Sequence, residues 1–425
     1  MIHRGGPSLS RSDLFGAGIF PRNSYNEGPC VSNFCMQTLT YAQARLAAFL
    51  FFSASGLAYG LFTARIPSLK EQTGAASDEL GLVLFALGAA SVVGLSGAAH
   101  LVRRFGVKAV SLAGSVIFFL GLLVAGLANQ VALLAVATAL VGLGFGLLDV
   151  AVNVAGIEVE RRWKKASMNV IHAGYNVGVV AGSISAAVFT GLAVAPLWNF
   201  VLPCAILLLV LLRAQHYLPV PEELQQPSAE KPKAKHRVTG FVVFCGVLSS
   251  ATYVTEGASA EWGSLFLHQV QGAPESMAAL CYGVFGTCAL SCRLIADRLR
   301  AAYGDVNVFL TGAVIALCGM TIVLFAPHWT VSLAGYAVFG TGLAPVVPIL
   351  FALAGRYGGM PLERATSVVA LFAYGGLLFF PPFFGFLAEH WGLLRSLSVM
   401  RHFRSFPLHA VPRSTIETAE CLIGL

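Results

Sequence analysis

The chain has 425 residues, of which 56% are hydrophobic and 11% charged, with a mean hydropathy of +0.75 and a formal net charge of +7. Soluble domains carry about 25% charged residues, so this composition excludes a string of ordinary soluble domains and describes an all-α polytopic membrane protein. The basic residues gather in alternate loops, a topology signal rather than a nucleic-acid surface, and the nine cysteines have no metal-site or disulfide spacing. No cofactor, metal or nucleic-acid partner is expected.

Residues 1–40 are rich in Gly, Pro, Ser and Asn and hold no apolar signal-peptide core, so they read as a disordered extension, with Met36 just ahead of the first apolar run. A membrane span needs about 20 mostly apolar residues. Six candidates follow, at 43–64, 79–101, 107–128, 131–156, 168–192 and 197–217, giving a six-helix bundle over 41–217. Residues 218–238, rich in Pro, Glu and Lys, can neither span a bilayer nor form a core and are expected to be a solvated linker. Five further spans, at 239–268, 275–296, 306–326, 329–353 and 366–388, make up a second bundle over 239–400. A twelfth span there is only partial. Residues 401–425 are polar and interrupted by Pro407 and Pro412; either neighbours force a poor span into the bilayer, or the twelfth helix has been degraded or replaced.

The loop charges set the orientation. Arg103, Arg104 and Lys108 lie between spans 2 and 3, Arg161 to Lys165 between 4 and 5, and Arg298 and Arg300 after span 8. Arg356 and Arg364 lie between spans 10 and 11. The intervening loops are nearly free of Lys and Arg, apart from Arg65 and Lys70 after span 1. This places the N-terminus and the linker in the cytoplasm and the chain, by expectation, in the plasma membrane.

Polar groups inside the apolar runs are the candidate functional residues. A carboxylate at mid-span costs roughly 2.5–3.5 kcal/mol on insertion scales, so such a group usually faces a cavity, a partner helix or a transported solute. In the first half these are Asp149 and Asn153, four apart on one helical face, and His172 and Asn176, again four apart. In the second half they are Glu256, Glu261 and Trp262 on span 7, with Glu256 the deeper carboxylate. Glu261 lies nearer the outer end and reaches either water or the site. Trp262 reads equally as an interfacial belt residue or as a stacking face for a sugar ring. Tyr253 and Tyr374 read as core packing. No phosphate-cradling loop, metal-ligand set or nucleophile–base arrangement is present, so an enzyme is not expected.

The two halves repeat. Span 2 runs into HLVRRFGVK and span 8 into RLIADRLRAAYG, while span 4 opens with GLGFG and span 10 carries GTGLAP. Together with ARIPSLKEQTGAASDELG (64–81), GLGFGLLDVAVNV (142–154), TEGASAEW (255–262) and GLAPVVPILFALAGR (342–356), this order of motifs resembles the major facilitator superfamily. Within it, the motifs resemble the bacterial fucose-permease-like, sugar-permease-like branch. The resemblance covers roughly residues 40–395 and implies two six-helix parallel repeats, with the substrate site between them at mid-membrane. The acidic residue that the superfamily usually carries in the loop between spans 2 and 3 is replaced here by Arg103, followed by Arg104. The second-half copy keeps it as Asp297–Arg298. The resemblance thus implies a gate latch of Asp297 and Arg298 with a weakened first-half partner at Arg104.

The expected function is secondary active transport, a proton-coupled symport of a small polar solute such as a sugar, with Glu256 or Asp149 carrying the proton and two bundles rocking in alternating access. Its partners are the solute, the proton and the lipid bilayer, with the chain a monomer. Two readings stand beside it: a proton-coupled drug or metabolite exporter, and a non-transporting product of the altered C-terminus.

Overall fold

The computed structural model describes residues 39–165, 167–219, 238–360 and 362–399. Among them every regular element is helical: α1 (Tyr41–Ala64), α2 (Ile66–Thr73), α3 (Ser77–Leu127), α4 (Val131–Trp163), α5 (Met168–Gly191), α6 (Pro196–Ala214), α7 (Gly240–Gln269), α8 (Glu275–Ala278), α9 (Cys281–Tyr303), α10 (Asp305–Phe325), α11 (Trp329–Leu343), α12 (Val346–Tyr357) and α13 (Leu362–Trp391). Ten stretches are long and apolar enough to cross a membrane. The 51-residue α3, counted once among these described helices, is long enough for two crossings. Its backbone reverses at Gly106, where φ is +83°, a conformation that costs an L-residue with a side chain about 1–2 kcal/mol. The sequence places spans 2 and 3 on either side of this residue, in agreement.

Glycine lets the α3 hairpin close on α4. Thr138 Oγ1 donates to the Val83 carbonyl at 2.9 Å, and Gly142 and Gly146 lie against the Leu87 and Ser91 carbonyls, so α4 runs parallel to residues 77–105. Gly144 lies against Gly114 and Phe118, and Gly121 against Ala137 and Val141, so α4 runs antiparallel to residues 107–127. A Cβ on Gly142, Gly144 or Gly146 would collide with backbone atoms of the partner helix. The alternate glycines of GLGFG therefore seat α4 in the groove between the two arms. The second half repeats the device: Gly340 lies on Phe285 of α9, and Gly342 on Gly312 and Ala316 of α10.

The other helices follow the same repeat. Gly174, Gly178 and Gly182 of α5 pack in parallel register on residues 49–61 of α1, and Gly246 and Gly376 mark the parallel packing of α7 on α13. α1 starts in a capping box, with Gln43 N donating to Thr40 Oγ1 (3.3 Å) and Thr40 N to Gln43 Oε1 (3.0 Å). α7 starts at Thr239, whose hydroxyl accepts from Val242 N (3.5 Å). The halves meet along α3–α13, where Gly81 touches Pro381 and Gly385, and along α5–α9, where Gly283 touches Ser183.

Some boundaries differ from the sequence reading. The expected span 275–296 divides into α8 and α9, and the expected span 329–353 breaks at Ala344 and Pro345 because the proline has no N–H to continue the ladder. Residues 393–399 continue as a short helix after Gly392, whose φ is +80°. The expected extension up to residue 38, most of the linker (220–237) and the altered tail from residue 400 lie outside the described residues.

Valine at Gly142 tests the seat of α4. Overpacking of this kind costs about 1–3 kcal/mol, and here the clash is with backbone. Gly142→Val is therefore expected to lower the thermal unfolding midpoint in detergent by several degrees, whereas Gly97→Ala, at a position with open space around it, leaves the midpoint unchanged.

Candidate functional site

A cavity of about 290 Å³ opens between the halves. It draws its walls from α1 (Tyr59), the first arm of α3 (residues 84–95), α4 (Phe145, Asp149), α5 (Tyr175), α7 (Tyr253, Glu256, Glu261), α9 (Tyr282, Arg293) and α13 (Tyr374, Leu377). Three carboxylates, one guanidinium and five phenols thus converge from both halves of an otherwise apolar protein.

The cavity brings together three of the residues singled out from the sequence. Asp149 lines it from the first half, and Glu256 and Glu261 from the second. Glu261 is 4% exposed; its Oε1 accepts from the Tyr59 hydroxyl at 3.3 Å, a bond between α7 and α1, while its Oε2 has no hydrogen-bond partner. The tyrosines form two aromatic groups along the wall. Tyr59 meets Tyr282 edge-on (ring centres 5.9 Å apart) and Phe145 at 6.3 Å, Phe145 meets Tyr175 at 6.4 Å, and Tyr253 stacks on Tyr374 at 5.9 Å. Among the described residues no group of three or more His, Cys, Asp or Glu side chains converges as a metal ion requires.

Four other expected site residues are not among those lining this cavity. Asn153 does share a helical face with Asp149, but its Nδ2 donates to the Asp149 carbonyl (2.9 Å) and its Oδ1 meets His172 Nε2 (3.1 Å). His172 packs on Phe52 with ring centres 4.6 Å apart, so this pair clasps α4 to α5. Asn176 is buried beside it on α5. Trp262 is fully buried against Phe384, 4.8 Å between ring centres, and is neither a belt residue nor a stacking face. One turn of α7 carries both Glu261 and Trp262, and only the carboxylate reaches the cavity.

Arg293, Tyr59, Tyr175 and Tyr282 were not singled out from the sequence, and Tyr253 and Tyr374 were read as core. Arg293 carried a usable signal: it is a cation inside an apolar span, which is a functional position by default. The tyrosines carried none, because a phenol serves equally in a helix–helix contact and in a polar lining.

Charged contacts differ sharply between the two ends of the bundle. At the linker end the contacts among the described residues lie within one helix or join helices of one half. Glu158 holds Arg161 through two bonds (2.8 and 3.0 Å), and Glu160 accepts from the Ser167 and Met168 amides at the start of α5 (2.6 and 2.9 Å). Asp305 pairs with Arg300 (2.8 Å) and Arg356 (3.3 Å). Of the expected gate latch, Arg104 lies over the Phe105 ring at 5.3 Å and Arg298 is exposed, while the side chain of Asp297 lies outside the described residues.

At the opposite end the charges join the halves. Arg65, 2% exposed between α1 and α2, bonds the Thr190 hydroxyl and the Val194 carbonyl (2.6 Å) and pairs with Glu275 of the second half at 3.8 Å. Glu275 also accepts from Ser68, Ser264 donates to the Thr63 carbonyl (2.9 Å), and Glu389 accepts from the Ser77 amide at the start of α3 (2.8 Å). The cavity is therefore sealed away from the linker, by the ARIPSLKEQTG segment among others.

Comparison with known proteins settles the kinship. The family model described as Major Facilitator Superfamily matches residues 47–381. The chain belongs to the major facilitator superfamily. An uncharacterized MFS-type transporter of Yersinia pestis is 30% identical over 359 residues, covering 84% of this chain and 89% of that protein. The membrane protein MosC of Rhizobium meliloti is 28% identical over 363 residues, covering 82% and 84%. Among solved structures, the nucleoside transporter NupG superposes with a TM-score of 0.68 at 14% identity over 87% of this chain and 96% of that one. A D-xylose–proton symporter does so with 0.68 at 16%, over 88% and 98%. At these identities the structures share the major facilitator fold. The chain is accordingly a membrane transporter and not an enzyme.

The Arg65–Glu275 pair tests the seal. Removing one partner of a buried pair costs about 3–5 kcal/mol, because a charge is left desolvated. Glu275→Ala is expected to raise hydrogen–deuterium exchange in residues 64–76 and 269–281 while leaving the interior of α4 protected.

Proposed function

We propose that the protein is a proton-coupled symporter of a small polar solute such as a sugar, working by alternating access of two bundles, residues 41–217 and 239–400, joined by the 218–238 linker. The observation that carries this reading is the convergence of Asp149, Glu256 and Glu261, from both halves, on one cavity at the pseudo-symmetric interface. A carboxylate in a low-dielectric site is readily protonated, and one whose protonation and solute binding share a cavity couples the two flows. Asp149 or Glu256 carries the proton. The fucose-permease-like, sugar-permease-like motifs and the fold shared with a D-xylose–proton symporter support the same class.

By the positive-inside rule the linker side is cytoplasmic in a bacterial inner membrane. The seal of Arg65, Glu275 and Glu389 then lies on the outer face, and the state described here faces inward. The structure of XylE from E. coli with a TM-score of 0.67 is likewise of an inward open conformation. Ligand pockets run from about 300 to 1,000 Å³, so the 290 Å³ cavity suits a small solute better than the bulky cargo of a drug exporter. The protein works as a monomer, the solute path lying within one chain.

Neutralising the proton carrier separates coupling from translocation. In proteoliposomes, Glu256→Gln or Asp149→Asn is expected to abolish uphill accumulation of the solute under an inward proton gradient while sparing solute exchange. Full accumulation in both variants would overturn proton coupling at this site.

A further inference from the structure

Glu261 marks the closed end of the cavity. It lies one helical turn before Ser264, whose hydroxyl bonds the Thr63 carbonyl of the first half within the seal. Its Oε1 is held by Tyr59, whereas its Oε2 is buried without a partner. A buried carboxylate oxygen left unpaired costs about 1–3 kcal/mol or more. Proton transport through Asp149 or Glu256 gives that oxygen no role.

The cation nearest at hand along the wall is not its counterion. Arg293 lies eleven residues from Tyr282 on α9, about 16 Å along the axis at 1.5 Å per residue, and it is exposed. Three carboxylates less one guanidinium leave the lining with two negative charges when all are ionised. Around Glu261 stand aromatic rings instead: Tyr59, whose hydroxyl bonds it, Tyr282 edge-on to Tyr59, and Phe145 beyond. A carboxylate facing an aromatic wall without its own cation satisfies a positively charged group twice, by ion pairing and by cation–π attraction. A neutral hydroxyl fills the lone pair but leaves the charge uncompensated.

We infer that the transported solute carries a protonated amine, seated between Glu261 and the rings of Tyr59 and Tyr282, with its hydroxyls facing Asp149, Glu256 and Tyr175. The inference rests on the transport reading above and narrows its substrate class from a neutral sugar to a hydroxylated amine.

Three probes of one ring shape decide it: D-glucosamine, D-glucose and N-acetyl-D-glucosamine, titrated by calorimetry against the purified full-length protein at neutral pH. Glucosamine is expected to bind at least about tenfold tighter than either neutral sugar, a difference of about 1.4 kcal/mol. Glu261→Gln is expected to erase that preference with an unchanged melting temperature. Tyr59→Phe, which keeps the ring and loses only the hydroxyl, is expected to retain it. Equal or tighter binding of a neutral sugar, no binding of glucosamine, or a preference surviving in Glu261→Gln overturns the inference. Proton-driven accumulation of glucose without an amine preference overturns the ammonium subsite and leaves symport standing. Glucosamine binding through Glu261 with no accumulation of any probe does the reverse.

Discussion

The architecture depends on helix backbones touching with no side chain between them. In a bilayer, burial of apolar surface gives helices no reason to prefer each other over lipid, so close packing and satisfied polar groups must hold them. GLGFG and GTGLAP meet this demand at equivalent places in the two halves, each seating one helix on two neighbours through alternate glycines. With α4 and α11 fixed in this way, each half is stiff enough to hold carboxylates at a cavity wall rather than let them reach water.

Stiff halves also explain the distribution of charge. At the linker end, the described bonds of Glu158, Glu160 and Asp305 go to neighbours in the same half, which consolidates each bundle. At the far end Glu275 and Glu389 reach across. The same residue types therefore do two jobs, cohesion at one end and closure at the other. The expected latch of Asp297 and Arg298, with Arg104 as its weakened first-half partner, belongs to the linker end, and the side chain of Asp297 lies outside the described residues.

Sequence reasoning reached the fold because a span announces itself twice, by its apolar run and by the charges that bracket it. The hairpin of α3 and the repeat were visible on those grounds. Asp149, Glu256 and Glu261 were visible because a carboxylate in an apolar run has few places to go. Neighbours on the same face were less secure. The four-residue spacing put Asn153 beside Asp149 correctly, yet a short amide can spend its bonds on its own helix and on His172, which spacing does not reveal. Trp262 adjoins Glu261 in sequence but points elsewhere, since successive helical residues differ in direction by about 100°. The phenols stayed hidden because their chemistry suits both core and cavity.

Two of the fastenings at the sealed end differ in hardness. Glu389 meets the Ser77 amide at an exposed helix start, where mobile ions reach both partners, whereas the side chains of Arg65 and Glu275 are 3% and 21% exposed. With a Debye length of about 8 Å at physiological ionic strength, dissolved salt weakens the first contact far more than the second. Salt on the sealed side thus acts as a graded control on how readily the seal begins to part, while its last step responds less to the medium.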